Sequence, residues 1–105
     1  MLILIQFIKK RPWVSCLVKI NGSNVSVVNQ RGQKTASANY SSNMFSITWT
    51  ASHPDGDAYI AQYCLFGSVG MIYQVLDSAT ATGLSIFTTT FSGIAFGRDF
   101  YLTIF

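Results

Sequence analysis

Apolar and polar residues alternate along most of the chain, and the alternation is interrupted by short runs of Gly, Asn, Asp, Pro and Ser. A period of two puts successive side chains on opposite faces of an extended strand. The chain is organised around residues 44–63, where the pattern is clearest. Phe45, Ile47 and Trp49 alternate with Ser46, Thr48 and Thr50, which gives one apolar and one polar face. Ser52-His53-Pro54-Asp55-Gly56-Asp57 follows. Pro presets φ for a turn, and Asp-Gly supplies a residue free to take positive φ. Tyr59, Ala61, Tyr63 and Leu65 then alternate with Ile60, Gln62, Cys64 and Phe66. This predicts two strands and the turn between them, a hairpin. The second strand is largely apolar on both faces, which predicts a central position covered on both sides.

The rest of the chain reads in the same way. A strand over 13–20 has Val14, Cys16, Val18 and Ile20 on one face and starts just after Pro12. Asn21-Gly22 is a two-residue turn signal, so a second strand over 24–29 completes a hairpin. A polar turn at 30–34 leads to a weak strand of small residues at 35–40 and a turn at 41–43. Gly67-Ser68-Val69-Gly70 breaks the chain. Further strands are predicted over 71–76, 84–91 and 99–105, separated by a polar loop at 77–83 and a looser apolar loop at 92–98. The last strand is apolar on both faces. One cover is the core, and the other is a neighbouring subunit. Eight short strands at roughly ten-residue spacing, with no helical periodicity and no internal repeat, indicate an antiparallel sandwich or barrel.

Composition sharpens this picture. With 105 residues, one domain is expected. Half of the residues are hydrophobic, 10% are charged, and mean hydropathy is +0.35. A typical globular chain is about a quarter charged. A small domain cannot hide this surplus internally, so an oligomer interface or a membrane must take it. Residues 1–8 are too short for a span, which needs about 20 apolar residues. Lys9, Lys10 and Arg11 follow this run, whereas a signal peptide carries its charge in front. Residues 1–10 therefore read as an apolar and basic N-terminal strand, or an arm packed on a neighbouring subunit, with no membrane span. Net charge is +3. Lys9, Lys10, Arg11, Lys19, Arg31 and Lys34 precede all four acids, Asp55, Asp57, Asp77 and Asp99. Few aromatics lie among these basic residues, so they read as a solvated surface and no nucleic-acid partner is expected.

Candidate chemistry is sparse. Cys16 and Cys64 each sit in an apolar strand pattern and read as two buried free thiols. No CxxC or Cys/His cluster suggests zinc. Asp55 and Asp57 could contribute oxygens to calcium, which takes six to eight. No other acid is near in sequence, so a Pro-Asp-Gly turn with Asx hydrogen bonds is the reading preferred, and no metal or cofactor is expected. There is one His and no GxSxG, HExxH or phosphate loop. Ser52 would point away from His53 on an extended backbone. The expectation is a protein that is not an enzyme. Asn21, Asn24 and Asn39 each begin an N-x-Ser sequon, relevant only on a eukaryotic secretory route. Tyr40, Trp49, Tyr59, Tyr63, Tyr73 and Tyr101 can stack on sugars or pack in a core and interface. Trp49 shares a face with Phe45 and Ile47 and is assigned to the core.

Arg11-Pro12-Trp13, a hairpin, a Gly-containing basic turn, Phe45-x-Ile47-Thr48-Trp49, His53-Pro54-x-Gly56-x-x-Tyr59, a Ser/Thr-rich penultimate strand and terminal Asp99-Phe100-Tyr101-Leu102 follow in order. Over residues 11–105 this resembles the small jelly-roll modules related to the complement-q globular domain and tumour necrosis factor. It is similar in particular to versions in large DNA viruses of algae and in phage fibres. The resemblance implies an all-β antiparallel β-sandwich of jelly-roll topology, about eight to ten strands, forming a homotrimer around an apolar three-fold axis. It assigns Tyr59, Phe100, Tyr101, Leu102, Thr103 and Phe105 to the trimer interface. It implies a trimeric structural or attachment module of a virion, as a minor capsid or fibre-head protein, or of a secreted fibre. Location is then virion or extracellular, with other capsid or fibre proteins and a host receptor or glycan as partners. A carbohydrate-binding, lectin-like module is the alternative. A third reading is a domain whose apolar face is buried by a different chain. The chain departs from the family in being short by one or two strands and in having residues 1–10 where a stalk is expected.

Overall fold

A computed structural model of the chain describes residues 11–67 and 69–105. The arm expected at residues 1–10 lies outside the described residues. Eight strands follow in order: β1 (Val14–Asn21), β2 (Asn24–Val28), β3 (Ala36–Ser41), β4 (Met44–Trp49), β5 (Ala61–Leu65), β6 (Met71–Gln74), β7 (Gly83–Thr89) and β8 (Phe100–Ile104). They form two four-stranded antiparallel sheets. One sheet, A, has the order β2-β1-β8-β5, and the other, B, the order β3-β4-β7-β6. The two pack face to face as a β-sandwich.

The core comes from the four central strands. Val14, Cys16 and Val18 of β1 and Phe100, Leu102 and Ile104 of β8 face Phe45, Ile47 and Trp49 of β4 and Leu84 and Ile86 of β7. The period-2 pattern of each strand sets this face. Phe45 and Phe100 meet edge to face between the sheets, their centroids 5.0 Å apart, a geometry that suits the ring quadrupoles. Edge strands contribute half-buried side chains such as Val25, Val27, Tyr63 and Ile72.

The first hairpin closes through Gly22-Ser23, with Asn21 opposite Asn24. The β3–β4 hairpin closes through Ser42 and Asn43, both at positive φ (53° and 64°). That is the backbone of the primed turn whose twist matches paired strands.

Residues 44–65 depart from expectation. The two strands form, but they do not pair as a hairpin. β4 belongs to one sheet and β5 to the other. The turn at His53 accounts for this. His53 N–H donates to Ala81 O (2.7 Å) and Trp49 Nε1–H to the same carbonyl (2.9 Å), so the chain leaving β4 is tied to the β6–β7 connection. It then crosses the end of the sandwich. β5 is an edge strand rather than a central one, and Gln62 and Cys64 are exposed. Both cysteines are free, but only Cys16 is buried. They lie on opposite faces of sheet A with β8 between them. Two strand spacings are about 10 Å, beyond disulfide reach.

Candidate functional site

Outward-facing residues of sheet A follow from the ladders. β1 contributes Ser15, Leu17 and Lys19, β8 contributes Tyr101 and Thr103, and β5 contributes Gln62 and Cys64. Only Lys19 is charged, and it lies toward the β1–β2 turn. Tyr101 is 43% exposed, and the Phe66 ring stands perpendicular to it at 5.3 Å. Leu17 points the same way yet is 6% exposed. Beside Tyr101 lies a shallow cleft of about 290 Å³ lined by Gln62, Tyr63, Cys64, Tyr101 and Thr103. A face so poor in charge holds little hydration and can be covered by another surface at low desolvation cost.

The six residues assigned to a trimer interface are not brought together. Phe100 and Leu102 are fully buried in the sandwich core, which removes them from any outer face. The alternation that exposes Tyr101 turns its two neighbours inward. Tyr101 and Thr103 remain on the outward face of sheet A. Tyr59 and Phe105 lie at one end of the sandwich, around His53.

That end is a compact polar and aromatic corner. His53 is buried. Its Nδ1 accepts the Asp55 N–H (3.0 Å) and its Nε2 is 2.9 Å from Phe105 O. These partners assign the proton to Nε2, which donates to the carbonyl. Trp13 and Tyr59 rings pack against the imidazole at 5.2 and 5.3 Å. Tyr59 also meets Trp49 edge to face, and its hydroxyl donates to Gly83 O at 2.8 Å. Burial raises the phenol pKa, opposed by a backbone hydrogen bond at Thr80 and aided by Asp57. Lys34 Nζ sits 5.4 Å above the Trp13 ring. A cleft of about 170 Å³ opens between Trp13, Gln33, His53, Pro54, Asp55 and Phe105. Both imidazole nitrogens are committed to backbone groups. No group of three His, Cys, Asp or Glu able to hold a metal occurs among the described residues. Asp55 serves the turn through its backbone.

The remaining sugar-stacking candidates divide by face. Trp49 is in the core, Tyr40 stacks on Phe45, and the Tyr63 hydroxyl accepts the Gln74 N–H. Only Tyr73 (45%) and Tyr101 (43%) expose much of their rings. The three sequon asparagines are exposed.

Two features escaped the sequence reading. Phe66 joins the Tyr101 face because it continues the outward set of β5, a signal present in the alternation of 62, 64 and 66. The segment after Thr89 forms a second small hairpin, with Thr90 N–H donating to Ile94 O at 2.8 Å and exposed Phe91 at its tip. Comparison with protein-family models, with curated proteins and with solved structures finds no match to the chain.

Proposed function

We propose that the protein is a non-enzymatic, homotrimeric structural or attachment module of jelly-roll type, belonging to a virion or a secreted fibre and acting through protein–protein or receptor contacts. The observation that carries the reading is the nearly uncharged outward face of sheet A, with Tyr101 at its centre and Phe66 beside it. A monomer's outward strand face ordinarily carries charge, whereas interface centres are depleted of it. Strand order supports the same reading. β1 and β8 pair in the middle of one sheet, and the chain changes sheet at β2–β3, β4–β5, β5–β6 and β7–β8, as expected for Greek-key crossings. Among the described residues, β5 and β6 lie against each other and each ends its sheet. A ten-stranded relative would have room there for one more strand on each sheet. The interface then centres on Tyr101 and Thr103 with Gln62, Cys64 and Phe66.

Light scattering should give a mass three times that of the 11.6 kDa chain. Tyr101→Asp should dissociate it, because three carboxylates would meet in an apolar place. An unchanged trimer in sedimentation of that variant overturns the interface.

The cleft beside Tyr101 favours the lectin-like alternative, since an exposed ring flanked by Gln62 and Thr103 can stack on and hydrogen-bond a sugar. A trimer would cover that ring. A monomer whose glycan-array binding is lost in Tyr101→Ala would establish this second reading in place of the first.

A further inference from the structure

The connection between β2 and β3 is a basic loop held in one shape. At its base the Gln30 side chain spans the loop, accepting the Ala36 N–H on its carbonyl oxygen (2.7 Å) and donating to Ala36 O (3.0 Å). Along its length the loop runs against the start of β1. Arg31 N–H donates to Ser15 O (2.8 Å), Gln33 N–H to Pro12 O (2.9 Å) and Lys34 N–H to Trp13 O (2.8 Å). The Arg11 guanidinium donates to Gly32 O (2.9 Å), and Gln33 Nε2 donates to Arg11 O (2.9 Å). A side chain at Gly32 would collide with the backbone of residues 13–15, so the loop packs flat on β1. Its shape is fixed before any partner arrives, and a fixed site loses little entropy on binding.

This contact gathers charge that the sequence spreads out. Arg11 and Arg31 are 20 residues apart in the chain, yet both lie in one strip with Lys34. Arg11 and Arg31 are exposed, and Lys34 Nζ stands 5.4 Å from the Trp13 ring centroid. Among the described residues, none of the three pairs with a carboxylate: Arg11 is engaged by backbone carbonyls and Lys34 by the indole. Lys9 and Lys10 directly precede Arg11, and the first acid in the chain is Asp55. Asp55 borders the strip across the cleft that Trp13 and Gln33 line.

We propose that this strip binds a sulfated polysaccharide, with Arg11, Arg31 and Lys34 meeting its anionic groups. An arginine fork takes two oxygens of an oxyanion at once, and a lysine adds a point charge. Release of the counterions that a polyanion carries adds to the affinity. A nucleic acid fits less well. Single strands are held by aromatic rings on which their bases stack. The ring in this strip, Trp13, is packed against His53 and covered by Lys34. Duplex binders spread many phosphate contacts over a long surface, whereas residues 31–34 span about 13 Å even when extended. The inference adds a class of receptor to the attachment reading. It uses none of the Tyr101 face, so it holds or fails independently of the trimer.

The test is retention of the full chain on immobilised heparin, a sulfated polysaccharide, under a salt gradient at neutral pH. The wild type should be retained. Arg31→Gln/Lys34→Gln should weaken binding about ten-fold and flatten its salt dependence by about two counterions. Lys19→Gln should elute with the wild type, since Lys19 lies farther along β1, toward the β1–β2 turn. Asp55→Asn should elute later, because the acid across the cleft is gone. Arg31→Gln alone should keep the wild-type melting temperature and still elute earlier, which separates lost binding from lost fold. Absence of retention overturns the inference. So does equal weakening by Lys19→Gln, which would make retention an effect of net charge alone. Tighter binding to a DNA oligonucleotide of equal charge, or to phosphatidylserine vesicles, overturns it as well.

Discussion

His53 joins two distant parts of the chain with one ring, holding Asp55 N–H on one nitrogen and Phe105 O on the other. His53→Leu keeps the volume but abandons both backbone groups. It should cost about 2 kcal/mol in a urea titration, because buried polar groups left unpaired carry their desolvation penalty. The two thiols differ for an equally local reason. Burial raises the Cys16 pKa to about 11, whereas Cys64 faces solvent. A disulfide reagent at pH 8 should modify one thiol in the native protein and the second only after denaturation. The sign of the pH effect follows. Between pH 9 and 11 an unfolded chain releases the Cys16 proton while the folded chain keeps it. Stability therefore falls as pH rises through this window. Denaturant midpoints at pH 8 and 10 should show a larger drop for wild type than for Cys16→Ala.

At the scale of elements, turns and crossings decide what alternation leaves open. Ser42 at φ 53° carries a side chain in left-handed backbone. Ser42→Gly should relieve that cost and raise stability by about 0.5 kcal/mol, after allowing for the flexibility glycine adds to the unfolded chain. Gly83 shows the reverse constraint. A Cβ there would collide with Ile47 O across the β4–β7 ladder. Gly83→Ala should cost at least about 2 kcal/mol, measured in the same titration, as the strands are forced apart. All eight strands were legible from period-2 runs and the punctuation between them. Their partners were not, because alternation fixes the face of a strand and says nothing about its neighbour. β5 looked central because Tyr59, Ile60 and Phe66 made it appear apolar on both sides. Tyr59 and Ile60 precede the strand, and Phe66 follows it, spent beside Tyr101. Tyr101 itself could be found in sequence, but the membership of its face depended on the β1–β8–β5 order. The hairpin beyond Thr89 was hidden because Phe91 continues the alternation of β7 by number although the backbone has already turned.

Across the whole molecule, burial is graded from the centre of each sheet to its edges. β1, β8, β4 and β7 hold the fully buried side chains, and β2, β3, β5 and β6 do not. Native-state hydrogen exchange should therefore be slowest in the four central strands and faster in the edges. Pairing between β1 and β8 joins segments from opposite ends of the sequence. Such distant pairing pays loop entropy before it gains contacts, and folding should take milliseconds to seconds in stopped flow.

That same pairing has a mechanical meaning. Trp13 N–H donates to Ile104 O at 2.7 Å, so the chain enters β1 and leaves β8 at one end of the sandwich. Tension applied through these two points opens the ladder like a zip, one rung after another, instead of loading every rung together. Anchored elsewhere, for instance between that end and the Phe91 tip, the same sandwich is pulled along its strands and resists as a unit. As a link in a fibre, the module would yield or hold according to where it is gripped.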